Sequence, residues 1–316
     1  MSDKLAVIAI GGNSLIKDPG HQTIEDQYRA VCEVAVHIVN IMERGYRIVV
    51  THGNGPQVGF ILNRSEVARK YAGIHVIPIV AAVAETQGSI GYALQQALDN
   101  EMHKRGLKGG TVTVVTQILV DRDDPGFRDP QKFIGEFYAE SELPELKKQH
   151  PNWILKEDSG RGWRRVVASP KPLRIVEMDA VRALVDQGFH VVAAGGGGIP
   201  VIEDCGYFQG VPAVIDKDLA TAMLAQGLDA DLLCISTAVE RVAVRFGKPD
   251  QKNLDTVTLA EMERHMREGQ FPPGSMGPKV EGAINFLKSG GREVVITNPA
   301  NLTAAVFNGK GTRIIP

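Results

Sequence analysis

The hydrophobic residues of this chain fall into short, nearly continuous runs, and glycine or polar turn residues follow them. The runs occupy residues 5–10, 47–50, 111–120, 189–194, 231–235 and 292–297. Apolar runs without alternation of polar positions are typical of strands covered on both faces, as in a mostly parallel sheet. We therefore expect these runs to form the strands of one central sheet.

The segments between the runs have the periodicity of helices. In residues 27–43, Val31, Val34, Ile38 and Ile41 lie on one helical stripe. Similar patterns occupy residues 219–226, 259–267 and 280–287. Strand and helix alternating along the chain predict an α/β fold, an open α/β/α sandwich with a mostly parallel central sheet. In such a sheet the loops after the strands gather on one edge, where ligands bind.

Residues 121–172 interrupt this alternation. The segment is rich in proline, glycine and charge, and it contains both tryptophans of the chain. Its clear strand candidates are residues 153–156 and 163–168. A fifty-residue excursion with aromatic core material predicts a small protruding lid, inserted in one domain that spans residues 1–316.

Composition excludes several classes of protein. The chain has 316 residues with 35 basic and 37 acidic side chains, which argues against a dedicated nucleic-acid binder. It has no apolar run near the length of a membrane span, and its start lacks the order of a signal peptide. Cys32, Cys205 and Cys234 have no C-x-x-C spacing, which indicates reduced, packed thiols. We therefore expect a cytoplasmic protein that binds neither membrane nor nucleic acid.

Four glycine-rich turns follow or flank the apolar runs, at residues 11–13, 53–55, 195–198 and 274–277. Glycine lets the backbone approach a phosphate, although a single such turn is more often only a turn. Four at one sheet edge favour a phosphorylated ligand. The chain lacks G-x-x-x-x-G-K-[ST] and G-x-G-x-x-G, which excludes P-loop NTPases and Rossmann dehydrogenases. It also lacks a zinc signature and G-x-S-x-G, so hydrolases of those classes have no support.

Three lysines have unusual surroundings. Lys217 lies between Asp216 and Asp218 at a strand-to-helix turn, Lys279 lies at a helix start, and Lys132 lies in the insertion. A lysine by itself is usually a solvated surface charge. Phosphoryl transfer, however, depends mainly on positioning and positive charge around the migrating group. These lysines are therefore candidates for that role.

Seven segments carry a family resemblance. They are residues 11–15 (GGNSL), 51–59 (THGNGPQVG), 157–167 (EDSGRGWRRVV), 169–172 (SPKP), 195–200 (GGGGIP), 215–220 (IDKDLA) and 274–280 (GSMGPKV). Together they closely resemble carbamate kinase, a member of the amino-acid-kinase superfamily. The motifs span nearly the whole chain in the family's order, and THGNGPQVG with the glycine- and arginine-rich insertion is the most specific of them.

The resemblance implies reversible phosphoryl transfer from carbamoyl phosphate to ADP, which yields ATP and carbamate, as in arginine metabolism. It implies catalytic roles for Lys132, Lys217, Asp218 and Lys279. Substrate contacts would come from Gly11, Gly12, Asn13, Gly53, Asn54 and Gly55. The nucleotide would bind Lys217, Ser236, Thr237, Ala238, Val239, Phe246, Met276 and Lys279. Mg²⁺ would bridge the nucleotide phosphates with few direct protein ligands, and no residue of this chain is assigned to it.

The resemblance also implies a homodimer and two halves of the chain that bind different substrates. Residues 1–200 would form the carbamate and carbamoyl phosphate side, and residues 201–316 the nucleotide side. The sequence departs from the family's usual pattern at Ser14 and Phe133, which leaves the required charges in place.

Carbamate is already an anion, so its attack on a phosphoryl group needs no general base. His52 could contact substrate, but a structural role in the turn after residues 47–50 is favoured.

Two alternative functions stay open. One is another small-carboxylate kinase of the superfamily, such as one acting on acetylglutamate, which would lack the insertion with Lys132. The other is a catalytically silent nucleotide sensor, which need not keep the lysines.

Overall fold

The computed structural model describes residues 4–12, 15–16, 20–158, 160 and 162–316. Within these ranges the strands are β1 (Lys4–Ile10), β2 (Tyr46–His52), β3 (Thr111–Thr113), β4 (Gln117–Val120), β5 (Lys132–Tyr138), β6 (Ile154–Glu157), β7 (Trp163–Val167), β8 (Pro172–Ile175), β9 (His190–Val192), β10 (Ile199–Asp204), β11 (Tyr207–Gly210), β12 (Leu232–Ser236), β13 (Ala243–Val244), β14 (Lys252–Asn253), β15 (Thr256–Thr258), β16 (Glu293–Thr297) and β17 (Thr312–Ile315). The helices are α1 (Ile24–Met42), α2 (Gly55–Ala72), α3 (Ile79–Lys104), α4 (Leu143–Gln149), α5 (Met178–Asp186), α6 (Lys217–Gly227), α7 (Leu259–Arg267), α8 (Met276–Lys288) and α9 (Leu302–Asn308).

The central sheet has eight strands in the order β15-β17-β16-β12-β1-β2-β9-β3. Its strands pair in parallel except that β17 runs antiparallel to β16. β1 lies at the centre, where Val7 pairs with Leu233 of β12 on one side and Val49 of β2 on the other. The continuous burial of this strand explains why its sequence is apolar at nearly every position.

Helices cover both faces of the central sheet. One face packs against α1, α3 and α9, and the opposite face against α5, α6, α7 and α8. The predicted α/β/α sandwich with a mostly parallel sheet is therefore confirmed.

A second sheet of four strands was not expected. Its order is β11-β10-β4-β8, and it divides the apolar run 111–120 between two sheets. The run breaks because Thr116 turns the chain: its hydroxyl donates to the carbonyl of Val114 at 2.8 Å, and its N–H donates to the side chain of Gln87 at 2.7 Å. The interpretation of residues 111–120 as one strand was therefore wrong.

The inserted segment contains a third sheet, in the order β5-β7-β6. We call residues 121–172 the lid. β6 and β7 match the two strand candidates, whereas β5 was missed because its sequence, KFIGEFY, mixes charge, glycine and aromatic residues. The lid is packed onto α2, where Ile134 and Val167 join Val58 and Leu62 in one apolar cluster.

Among the described helices, none is long and apolar enough to cross a membrane. The cysteines are free: Cys234 is buried, Cys32 half-buried and Cys205 exposed. Burial raises the pKa of the Cys234 thiol to about 12, so it is protonated at neutral pH.

Candidate active site

The loops after β1 and β2 touch each other at the carboxyl edge of the central sheet. The N–H of Gly53 donates to the carbonyl of Ile10 at 2.8 Å. A Cβ added to Gly53 would lie 2.9 Å from Gly12 Cα, which is closer than real Cβ atoms approach. Glycine at position 53 therefore brings two stretches of main chain side by side, and Gly55 then begins α2.

The glycine turn at residues 195–198 packs against these loops. A Cβ on Gly195 would lie 2.7 Å from Cε1 of the His52 ring, and one on Gly196 would lie 2.8 Å from Asn54 Oδ1. Gly196 and Gly197 also have positive φ angles, of 68° and 94°. The turn is therefore filled by protein side chains, and its glycines are required for packing and backbone conformation.

Asp218 lies between two lysines. Its Oδ1 accepts from Lys217 Nζ at 2.6 Å, and its Oδ2 accepts from Lys279 Nζ at 2.9 Å. The Asp218 side chain is 3% exposed, while those of Lys217 and Lys279 are 12% and 15% exposed. One buried carboxylate therefore orients two ammonium groups whose remaining protons point elsewhere.

The packing of α8 on α6 makes this contact possible. A Cβ on Gly282 of α8 would lie 2.8 Å from the Asp218 carbonyl oxygen, so the two helices approach closely there. Lys279 lies one turn before Gly282 on α8 and also donates to the carbonyl of Ser275 at 3.3 Å. In the sequence, nothing marks Gly282 beyond its position in a helical pattern.

Lys132 extends from the lid to the start of α6, where Lys217 and Asp218 lie. Its Nζ lies 2.6 Å from Oδ2 of Asp216, whose Oδ1 caps α6 by accepting from the N–H of Asp218 at 2.9 Å. The three lysines are thus joined through Asp216 and Asp218, two residues apart on one turn. Asp216 was singled out in the sequence only as a neighbour of Lys217; its pairing with Lys132 depends on the tertiary structure.

The charges of this cluster are coupled. Burial by itself would raise the pKa of Asp218, but the charges and hydrogen bonds of Lys217 and Lys279 outweigh it and hold the pKa below its usual range. Burial also lowers the pKa of Lys217, an effect that Asp218 opposes and Lys279 reinforces. A bound phosphate would offer both lysines further negative charge.

The Asn54 side chain, in the loop after β2, is buried. Asn54 Nδ2 donates to Thr86 Oγ1 at 2.8 Å, and Thr86 donates to the carbonyl of Val83 at 2.7 Å. The Asn54 side-chain amide group is thus tied to α3. Asn13, the other asparagine expected to contact substrate, lies outside the described residues.

His52 is fully buried, and its Nδ1 lies 3.1 Å from the carbonyl oxygen of Gly53. Burial is the main cause that lowers its pKa to about 4, and the charge of Lys217 adds to it. His52 is therefore neutral at pH 7, and its ring packs against Gly195 of the glycine turn.

The residues expected to line the nucleotide site begin at the end of β12. Ser236 pairs with Thr297 of β16, and both hydroxyls are buried without a hydrogen-bond partner among the described residues. Thr237 N–H donates to the carbonyl of Thr297 at 2.8 Å. These two hydroxyls lie beneath the surface at the ends of β12 and β16 and do not themselves form an open ligand surface.

The remaining members of that set are more open. Ala238 is exposed and Val239 half-buried just after β12. The Phe246 side chain is 63% exposed beside β13, and Met276, the first residue of α8, packs partly on the core. These residues thus lie on separate elements: after β12, after β13 and at the start of α8.

Comparison with known proteins supports a family assignment. The model of the amino acid kinase family matches residues 4–298. The carbamate kinase-like protein YahI of Escherichia coli is 54% identical over 99% of each chain. The carbamate kinase of Clostridium perfringens is 47% identical over 98% of this chain and 99% of its own. The structure of carbamate kinase from Giardia lamblia bound to AMP-PNP has a TM-score of 0.90 and 40% identity, and 99% of each chain is covered.

Proposed function

This chain belongs to the amino acid kinase family, among the carbamate kinases, and from that premise we propose that it transfers a phosphoryl group reversibly between ATP and carbamate. The observation that carries the proposal is the meeting of Lys132, Lys217 and Lys279 around Asp216 and Asp218 at the carboxyl edge of the sheet. An identity of 47% to a carbamate kinase over nearly the full length of the chain supports carbamate as the acceptor.

In the direction of ATP synthesis, a terminal oxygen of ADP attacks the phosphorus of carbamoyl phosphate. The bond between phosphorus and the carbamoyl oxygen breaks, and carbamate leaves with its electron pair as an anion. No proton needs to move, so the reaction needs no general base. The neutrality and burial of His52 are consistent with such a site.

The charge that develops on the migrating group needs positive partners fixed in advance. We assign Lys217 and Lys279 to the nucleotide phosphates and the phosphoryl group, with Asp218 as the residue that orients them. Lys132 would contact carbamoyl phosphate from the lid. Main-chain N–H groups of Gly11, Gly12, Gly53, Asn54 and Gly55 would surround the phosphoryl and carbamate groups, together with Asn13.

The nucleotide would bind the other half of the edge, along Ser236, Thr237, Ala238 and Val239, with Phe246 and Met276 beside the base. In this arrangement residues 1–200 handle carbamate and carbamoyl phosphate, and residues 201–316 the nucleotide. A homodimer is the expected assembly, and light scattering on the purified protein would test it.

Mg²⁺ would accompany the nucleotide. Among the described residues, no group of three or more histidine, cysteine or acidic side chains could hold a metal ion. Asp216 and Asp218 are each engaged by lysine. The site therefore fits an ion that the nucleotide phosphates would bring in, and that ion would add positive charge beside the migrating group.

The decisive experiment measures ATP formation from ADP and carbamoyl phosphate, with and without Mg²⁺. We expect turnover that requires Mg²⁺, that falls about 10²–10³-fold in Lys217→Ala and that is kept in Lys310→Ala, a control on the exposed loop before β17. Tight ADP binding without ATP formation would instead support a nucleotide sensor. Turnover only with another acyl phosphate would move the acceptor to a different small carboxylate.

A further inference from the structure

The lid meets α2 through two glycines. A Cβ built on Gly59 would lie 2.9 Å from the backbone N of Gly135 and closer still to its Cα. The neighbouring atoms are all main chain, so no side chain could rotate away. Since carbon atoms rest about 3.5–4.0 Å apart, any residue larger than glycine at position 59 would push β5 away by roughly 1 Å.

The two glycines are required for different reasons. Gly59 lies inside α2, where its Cβ would collide with β5. Gly135 has a φ of +74°, and a Cβ on it would meet nothing within 4 Å. Its pairing with β7 is irregular between Ile134 and Tyr138. Gly135 therefore supplies a backbone conformation, and Gly59 supplies the space for it.

Arg164 of β7 fixes Gly135 from the lid side. Its Nη2 donates to the Gly135 carbonyl at 2.9 Å, and its Nη1 pairs with Asp158 Oδ2 at 3.1 Å. Its guanidinium also lies over the ring of Phe137, 4.8 Å from the centroid. The Arg164 and Asp158 side chains are 15% and 6% exposed, so this anchor is shielded from water.

Lys132 lies three residues before Gly135 on β5, about 10 Å away along an extended strand. Gly59 lies four residues after Gly55, the start of the helix that follows the β2 loop. The glycine contact therefore joins the strand that carries Lys132 to the helix that begins at the phosphoryl site. We call Gly59 and Gly135 the lid joint.

We infer that the lid joint is a positioning device, which sets how far the Lys132 ammonium group lies from the phosphoryl site without affecting Lys217 and Lys279. The inference rests on the proposed function. Gly59 and Gly135 are positioning residues because they act through Lys132 and have no assigned contact with substrate. A displaced lid should weaken the use of carbamoyl phosphate and leave ADP binding intact, because the nucleotide lysines lie on α6 and α8.

The test compares Gly59→Ala with Gly88→Ala. Both glycines lie inside helices, but a Cβ on Gly88 would meet nothing within 4 Å. We expect Gly59→Ala to raise the KM for carbamoyl phosphate several-fold, to at most the roughly tenfold loss of removing the Lys132 ammonium group, because a displacement of about 1 Å weakens a charge-assisted hydrogen bond. The Kd of ADP from calorimetry should stay unchanged. Gly88→Ala should match the wild type in both.

A double-mutant cycle with Lys132→Ala separates this role from general damage. If the joint acts through Lys132, Gly59→Ala adds little in the Lys132→Ala background. Additive losses, equal losses for both ligands, or a wild-type KM in Gly59→Ala would overturn the inference. Inactive wild type and Gly88→Ala would instead contradict the proposed function.

If Gly59→Ala fails to fold, Gly135→Ala tests the joint from the lid side. It introduces no collision but strains the backbone at a positive φ. The same selective rise in the KM for carbamoyl phosphate would support the inference, and an unchanged KM would contradict it.

Discussion

The lysines on the body of the molecule and the lysine on the lid are held in different ways. Lys217 and Lys279 share the buried carboxylate of Asp218, which belongs to the same helix turn as Lys217. Lys132 is 29% exposed, and its partner Asp216 belongs to another part of the chain. The body pair is therefore preorganised by adjacent elements, whereas Lys132 depends on the placement of a whole substructure.

This difference suggests how the two sets contribute to the reaction. Charges fixed in a buried cluster stabilise a transition state without reorganisation. A charge on a lid can contact its ligand only when the lid is in place. We therefore expect substitutions at Lys217, Asp218 or Lys279, which we call the body cluster, to reduce stability and turnover. Substitutions on the lid should instead weaken the binding of substrate.

The largest expected effect is that of Asp218→Asn. Removing one carboxylate leaves two buried ammonium groups side by side, which should lower the free energy of unfolding by about 3–5 kcal/mol. Urea unfolding followed by circular dichroism measures it. Asp216→Asn is the matched control, because asparagine also caps helices and only the half-exposed partner Lys132 loses its charge pair. Equal losses in the two variants would contradict the comparison.

Lys217→Ala should reduce kcat by about 10²–10³-fold, the usual cost of removing one fixed transition-state donor. Because Lys279 stays paired with Asp218, the protein should remain folded. Steady-state kinetics in both directions measure the loss. A change confined to KM would mean that Lys217 binds ground state and transition state alike.

Lys132→Ala should raise the KM for carbamoyl phosphate about tenfold, the effect expected for a charge-assisted hydrogen bond of about 1.5 kcal/mol, with little change in ADP affinity. Lys156→Ala is the control, since Lys156 is also a lid lysine, 34% exposed, and pairs with Asp129 at 3.0 Å. Equal losses for carbamoyl phosphate and ADP would show that Lys132 does not act on the carbamoyl side.

The last expected effect, on stability alone, concerns His52, whose pKa is lowered in part by the charge of Lys217. Its pKa is lowered from 6.5 to about 4, so between these values the unfolded chain binds more protons than the folded protein. Stability should therefore fall by about 1.5 kcal/mol as the pH drops from about 6.5 to 5, and above about pH 7.5 His52 should contribute no slope.

Thermal unfolding across this pH range would measure it, with His52→Asn compared against His103→Asn, a substitution at an exposed position of α3. The variant at position 52 should lose this part of the slope and the control should keep it. Identical slopes in wild type and His52→Asn would place the titration elsewhere.

The predictable parts of the fold were those with strong local patterns. β1, β2, β12 and β16 follow apolar runs, and α1, α6, α7 and α8 follow helical stripes. β5 and the second sheet could not be predicted, because their strands are short or partly exposed and gain their partners from distant segments.

The sequence by itself determined which chemistry this protein can perform. The D-K-D turn, the lysine in the first turn of α8 and the glycine loops are local features. Their residue types set the charge and the main-chain donors at the sheet edge. Only the tertiary structure decided that Asp216 pairs with Lys132, that Gly282 lets Lys279 reach Asp218, and that Gly59 contacts Gly135. Each of these contacts joins residues 61 to 84 positions apart or depends on helix and strand packing, so no local pattern encodes it.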